Sequence, residues 1–110
     1  MIYKEGVIHK GLHWRMRRVE QTVDEIWQKH AQPEGTMTAG LDGKHSKWSW
    51  HNYGCAADFR TRYWDRDEAA DVSSELAKAL KVIHPAYQVV LHPGSHIHVE
   101  FDQAVATGVA

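Results

Sequence analysis

Apolar and polar positions alternate along this chain in two distinct rhythms. In residues 14–30, WRMRRVEQTVDEIWQKH, the large apolar side chains Trp14, Val19, Val23, Ile26 and Trp27 recur at roughly helical spacing with charges between them. The spacing predicts a helix, ended by AQPEG, since proline cannot continue a helix and glycine frees the backbone. Residues 66–83, RDEAADVSSELAKALKVI, place Ala69, Val72, Leu76, Leu80 and Ile83 on one face of a second helix. Asp65 or Asp67 is positioned to cap its start, and Pro85 in HPAY breaks its end.

Four other segments follow the two-residue rhythm of a strand. TMTAG reads as a short strand entering a polar, glycine-punctuated loop, GLDGKHSKWSWHNYG, and CAADF reads as the strand that leaves it. YQVVL and HIHVEF form a strand pair joined by HPGS, a proline–glycine turn. The tail DQAVATGVA lacks periodicity and reads as loose. No repeat or linker interrupts the pattern. The expectation is therefore one α+β domain over residues 1–110, an antiparallel sheet with two main helices.

Composition narrows the function. Thirteen Lys and Arg against fourteen Asp and Glu leave no basic footprint for nucleic acid. No apolar run approaches the ~20 residues that cross a bilayer. The start of the chain lacks a signal-peptide layout, which predicts a cytoplasmic protein released to its target by another factor, or one carried on a virion, and a monomer. Cys55 is the one cysteine, so neither a disulfide nor a multi-cysteine zinc site can form within the chain; it reads as a small buried residue. Nine histidines are the unusual figure, because histidine is the commonest metal ligand.

Strand alternation sorts those histidines. In HIHVEF, Ile97, Val99 and Phe101 point one way, so His96, His98 and Glu100 share the opposite face. In CAADFR the same rule sets Ala56, Asp58 and Arg60 against Cys55, Ala57 and Phe59. Two strands with plain polar outer faces would give this pattern. So would a metal centre built from His51, Asp58 and one histidine of the His96/His98 pair, a three-ligand set of the kind that leaves a catalytic zinc position open. Gly54 and the alanines after it let loop and strand approach one ion closely. Arg60, two residues past Asp58 on the same face, is a candidate to hold a substrate carboxylate in a bidentate pair. Trp48, Trp50 and Tyr53 flank the ligands as a candidate aromatic wall.

The segment DGKHSKWSWHNYGCAADF resembles the zinc motif of the Hedgehog/D-Ala-D-Ala-peptidase superfamily, which contains bacterial zinc D,D-carboxypeptidases, phage L-alanyl-D-glutamate endopeptidases and the amino-terminal domain of Hedgehog proteins. The family pattern sets a serine two before a histidine, a glycine three after it and an aspartate seven after it, matched by Ser49, His51, Gly54 and Asp58. Its second block, a His-x-His near the end of the last strand, is matched by His96 and His98 in SHIHVEF. The resemblance covers about residues 35–102. It implies zinc ligands His51, Asp58 and His98, with His96 lining the site as a catalytic neighbour and His45 and Ser49 on the substrate side. It implies a zinc-dependent hydrolase of peptidoglycan stem peptides, cleaving a D,D- or L,D-type bond in the manner of a phage or prophage lysis enzyme. A departure marks the general base. Many members place an acid six or three residues before the second histidine; here those positions hold His92 and Ser95. His92 is the candidate base, since a neutral imidazole accepts a proton, although a nearby cation depresses its basicity. Glu100 shares the His98 face but lies past it. The same departure supports an alternative, a zinc-stabilised binding module without turnover.

Overall fold

A computed structural model describes residues 1–42 and 49–108. Five strands, β1 (Ile2–Tyr3), β2 (Thr36–Ala39), β3 (Ala56–Arg60), β4 (Tyr87–His92) and β5 (His96–Phe101), form one sheet in the order β1-β2-β3-β5-β4. Helices α1 (Trp14–Lys29) and α2 (Arg66–Ile83) pack together on one face, and a single-turn helix α3 (Gln103–Ala106) follows β5. A 3₁₀ turn, Trp50–Tyr53, precedes β3.

The α+β class stands, but the sheet is mixed rather than antiparallel. β1 runs parallel to β2, while the β2/β3, β3/β5 and β4/β5 pairs are antiparallel. The reason is connectivity: α1 carries the chain from the end of β1 back to the start of β2, and a helical crossover joins parallel neighbours. A two-residue strand is too short to show alternation, so β1 has no local signature.

The core forms where the helices meet the sheet. Met16, Val19, Val23, Ile26 and Trp27 from α1 and Val72, Leu76 and Leu80 from α2 close over Ala57, Phe59, Ile97, Val99 and Phe101. Trp14, expected on this apolar face, instead lies 54% exposed beneath the Arg15 guanidinium, which sits 4.0 Å above its ring, and Met16 takes the buried position. The Trp27 indole, fully buried, donates to the Arg60 carbonyl at 3.1 Å and to the Tyr63 hydroxyl at 2.8 Å, tying α1 to the end of β3. Asp65 caps α2 by accepting from the Glu68 amide at 2.8 Å. The tail expected to be loose forms α3 because Asp102 accepts from the Ala104 and Val105 amides; one turn is too short for periodicity to register. With one face of the sheet covered by helices, the polar set of β3 and β5 is left on the other.

Candidate metal centre

The open face of the sheet assembles the site from three elements. β3 and β5 pair in a register that sets Asp58 opposite His98 and Arg60 opposite His96. The 3₁₀ turn supplies His51, which is buried. The Ser49 hydroxyl accepts from the His51 amide at 3.2 Å, and Gly54 ends the turn at φ 71°, so the serine expected on the substrate side caps the turn that presents His51.

His51 Nε2, Asp58 Oδ1 and His98 Nδ1 converge. The separations are 3.2 Å for His51–His98, 3.4 Å for His51–Asp58 and 2.9 Å for His98–Asp58. Donors about 2.0–2.1 Å from a tetrahedral zinc lie roughly 3.3 Å apart, so the triangle has the size an ion requires. The outer hydrogen bonds point the same way. His51 Nδ1 lies 2.7 Å from the Gly40 carbonyl, which only accepts, so Nδ1 carries the proton and, in the neutral ring, Nε2 presents a lone pair. His98 Nε2 donates to Glu100 Oε1 at 3.0 Å, which leaves Nδ1 as the lone pair. Two imidazole lone pairs and a carboxylate oxygen facing one another repel unless a cation joins them. These three residues are the group among the described ones that could hold a metal ion, and the orienting partners on their far nitrogens are those that tune metal-bound histidines.

The electrostatics agree. Burial works to raise the Asp58 carboxyl, but hydrogen bonds from His51 and His98, with charge from His51 and His96, outweigh it and hold it well below the usual carboxylate range. Burial disfavours a charged His98, yet Asp58 and Glu100 together outweigh it and shift its pKa upward. Burial also lowers His96, against the pull of Asp58 and with help from neighbouring imidazoles.

The other candidates fall at graded distances. His96 Nε2 lies 3.7 Å from Asp58 Oδ2, and its Nδ1 meets the Ser95 hydroxyl at 2.7 Å, so the ring borders the triangle with Nε2 toward it. His92, on the outer strand β4, is exposed and stacks on His96 with ring centroids 4.5 Å apart. Glu100 does face the site, but through the far nitrogen of His98. Arg60 lines a cavity of about 350 Å³ beside Asp58 and His96. Of the aromatic wall, Trp50 and Tyr53 meet edge to face at 5.8 Å, with Tyr53 59% exposed. His45 and Trp48 lie outside the described residues. Cys55 is buried, and burial pushes its thiol pKa up, the reverse of an activated nucleophile. The Gly40 carbonyl had no signal in the sequence, being main chain. A β-bulge between Met37 and Ala39, opposite Phe59 and Asp58, leads the chain to that carbonyl.

No known family model matches the chain, and no curated protein matches it. No helix among the described residues is long and apolar enough to cross a membrane.

Proposed function

We propose that this chain is a zinc-dependent peptidase of the Hedgehog/D-Ala-D-Ala-peptidase type, hydrolysing a D,D- or L,D-type bond in peptidoglycan stem peptides as phage and prophage lysis enzymes do. The observation that carries the reading is the triangle of His51 Nε2, Asp58 Oδ1 and His98 Nδ1, all within 4.8 Å of one another on an open sheet face. Three protein donors of this kind leave a fourth position open, as in catalytic rather than structural zinc sites. A zinc ion held there would supply a Lewis acid and bring the pKa of a bound water to about 7.

The chain's own residues supply the rest. The Gly40 carbonyl and Glu100 fix the tautomers of the two histidines. Glu100, engaged with the far nitrogen of His98, orients that ring and does not serve as base. His96 presents Nε2 to the site with Asp58 Oδ2 at 3.7 Å, so a proton accepted there rests beside a carboxylate. His92 backs that ring from the outer strand. Arg60 faces the adjoining cavity, where a guanidinium suits a substrate carboxylate.

Purified protein should carry about one zinc per chain by elemental analysis, and the zinc-loaded form should release peptide fragments from murein, read by mass spectrometry. Sacculi left intact after prolonged incubation would overturn the hydrolase assignment. The exposed His92 in the usual position of an acid favours a second reading, a zinc-stabilised binding module. His92→Glu separates the two: activity that appears only in the variant assigns the native chain to binding.

A further inference from the structure

We propose that the outer edge of β4 is an interaction surface for a second copy of this chain, which pairs with it antiparallel about a two-fold axis at Val90. The inference does not depend on the peptidase reading. The sheet has two edges, and they are built differently. β1 is two residues long and is followed by Lys4 and Glu5, the short and charged kind of edge that resists further pairing. β4 ends the sheet on the other side and runs for six residues, Tyr87–His92, in unbroken register with β5. YQVVLH carries no Lys, Arg, Asp, Glu or Pro, and no bulge twists it away. It lacks the devices that normally protect an edge. Val90 stands 46% exposed on the open face between exposed Gln88 and His92, while Val89 and Leu91 are only half-buried on the helix side.

The hydrogen-bond phase of the strand specifies the pairing. The Asp102 amide donates to the Ala86 carbonyl at 3.0 Å, so every second residue after Ala86, namely Gln88, Val90 and His92, turns its main-chain groups toward β5. The N–H and C=O groups of Val89 and Leu91 therefore point outward, where the sheet has no further strand. A copy of β4 turned about Val90 meets both. Val89 lies opposite Leu91 of the second copy and Leu91 opposite its Val89, each pair exchanging two hydrogen bonds. The same axis matches the side chains. Val90 faces its own image at a non-hydrogen-bonded position, where Cα atoms approach to about 4.5 Å. Gln88 faces His92 of the second copy, so no imidazole meets its own image. Val89 and Leu91, packed on one side against the core, cover one another across the seam. With no formal charge in the strip, like charges do not oppose the pairing. The contact is one strand long, about 20 Å, which places it among the small, transient interfaces below about 1,200 Å². The pair is therefore reversible. It replaces the monomer expected from the sequence and sets both ligand triangles on the same face of one continuous sheet.

Disulfide trapping in the full-length chain tests the register. Val90→Cys brings two thiols within the Cα separation of about 4.4–6.8 Å that a disulfide spans. Gln88→Cys leaves its two thiols four residues apart along the seam, about 14 Å. The native Cys55 is buried and does not compete. With oxidised glutathione, Val90→Cys should form covalent dimer at least about tenfold faster than Gln88→Cys, because the pairing raises the effective concentration of one thiol alone. A mixture of Gln88→Cys and His92→Cys should cross-link one variant to the other. Sedimentation of the native chain should show its mass rise from one chain toward two with concentration, and Val90→Lys, which sets two ammonium groups face to face, should stay at one. Equal trapping at positions 88 and 90 would overturn the pairing, as would dimers that persist in Val90→Lys. So would a native chain that stays single up to about 1 mM, a Kd worth only about 4 kcal/mol. Amides of Val89 and Leu91 that such a single chain protects from exchange only when murein peptides are added would give the edge to a peptide instead.

Discussion

At the scale of single residues, the far nitrogens of the two histidines decide what the near ones can do. His51 gives its Nδ1 proton to the Gly40 carbonyl and His98 gives its Nε2 proton to Glu100, so both remaining nitrogens turn lone pairs toward the side of Asp58. Glu100→Gln keeps an acceptor in place but removes the charge that would make His98 a stronger ligand. Zinc affinity should fall by about 10–100-fold, measured by competition with a chelating dye, with little loss of folding stability. Asp58→Ala removes the one carboxylate of the triangle and should abolish stoichiometric zinc binding; retention of one zinc per chain by that variant would place the metal elsewhere.

At the scale of elements, the short turn before β3 is the least forgiving part. Gly54 sits at φ 71°, and a side-chain Cβ built on it would lie 2.7 Å from the Gly11 carbonyl oxygen. Gly54→Ala therefore combines a left-handed backbone cost of about 1–2 kcal/mol with a backbone clash, and it should shift His51 as well. Denaturant titration should show a loss above that figure, and zinc affinity should fall with it. On α2, Leu76 is fully buried between the helix pair and the sheet. Leu76→Ala should cost about 2–5 kcal/mol without changing the ligand triangle, so its zinc stoichiometry, measured below the melting transition, should match the native protein's.

At the scale of the whole molecule, an ion in the triangle would couple metal to fold, because its three residues come from a mid-chain turn, a central strand and a late strand. A ligand bound only by the native state adds about 2.7 kcal/mol at a hundred times its Kd. Chelation should therefore lower the melting temperature, and an unchanged temperature would show that no such ion is held. A second link joins the helices: the His30 ring, at the end of α1, meets Glu75 at 3.0 Å and Glu68 at 3.5 Å on α2. The Glu75 hydrogen bond is the main cause of a His30 pKa raised above its ordinary value, burial opposing it and Glu68 assisting. A raised folded-state pKa makes this contribution fully present below the unfolded value near 6.5 and lost as pH climbs through the elevated one. His30→Gln should therefore flatten the decline in stability above pH 6.5, followed by thermal melts across that range.

Much of this was open to reading from the residues alone. The apolar spacing in 14–30 and 66–83 marks α1 and α2 nearly to the residue, and alternation in HIHVEF separates Ile97, Val99 and Phe101 from His96, His98 and Glu100 as the sheet does. Those periods are local, set by backbone geometry that each segment carries within itself. The parallel β1, the exposure of Trp14, the Gly40 carbonyl behind His51 and the place of β4 at the edge of the sheet have no such period. Each depends on which segments meet across long stretches of chain, and a main-chain carbonyl or a strand looks the same in the sequence wherever it ends up. Residue types and faces were determined by the sequence by itself. Which nitrogen points at Asp58, and which strand is left at the edge, the tertiary packing decided, because only the folded sheet brings one end of the chain against the other.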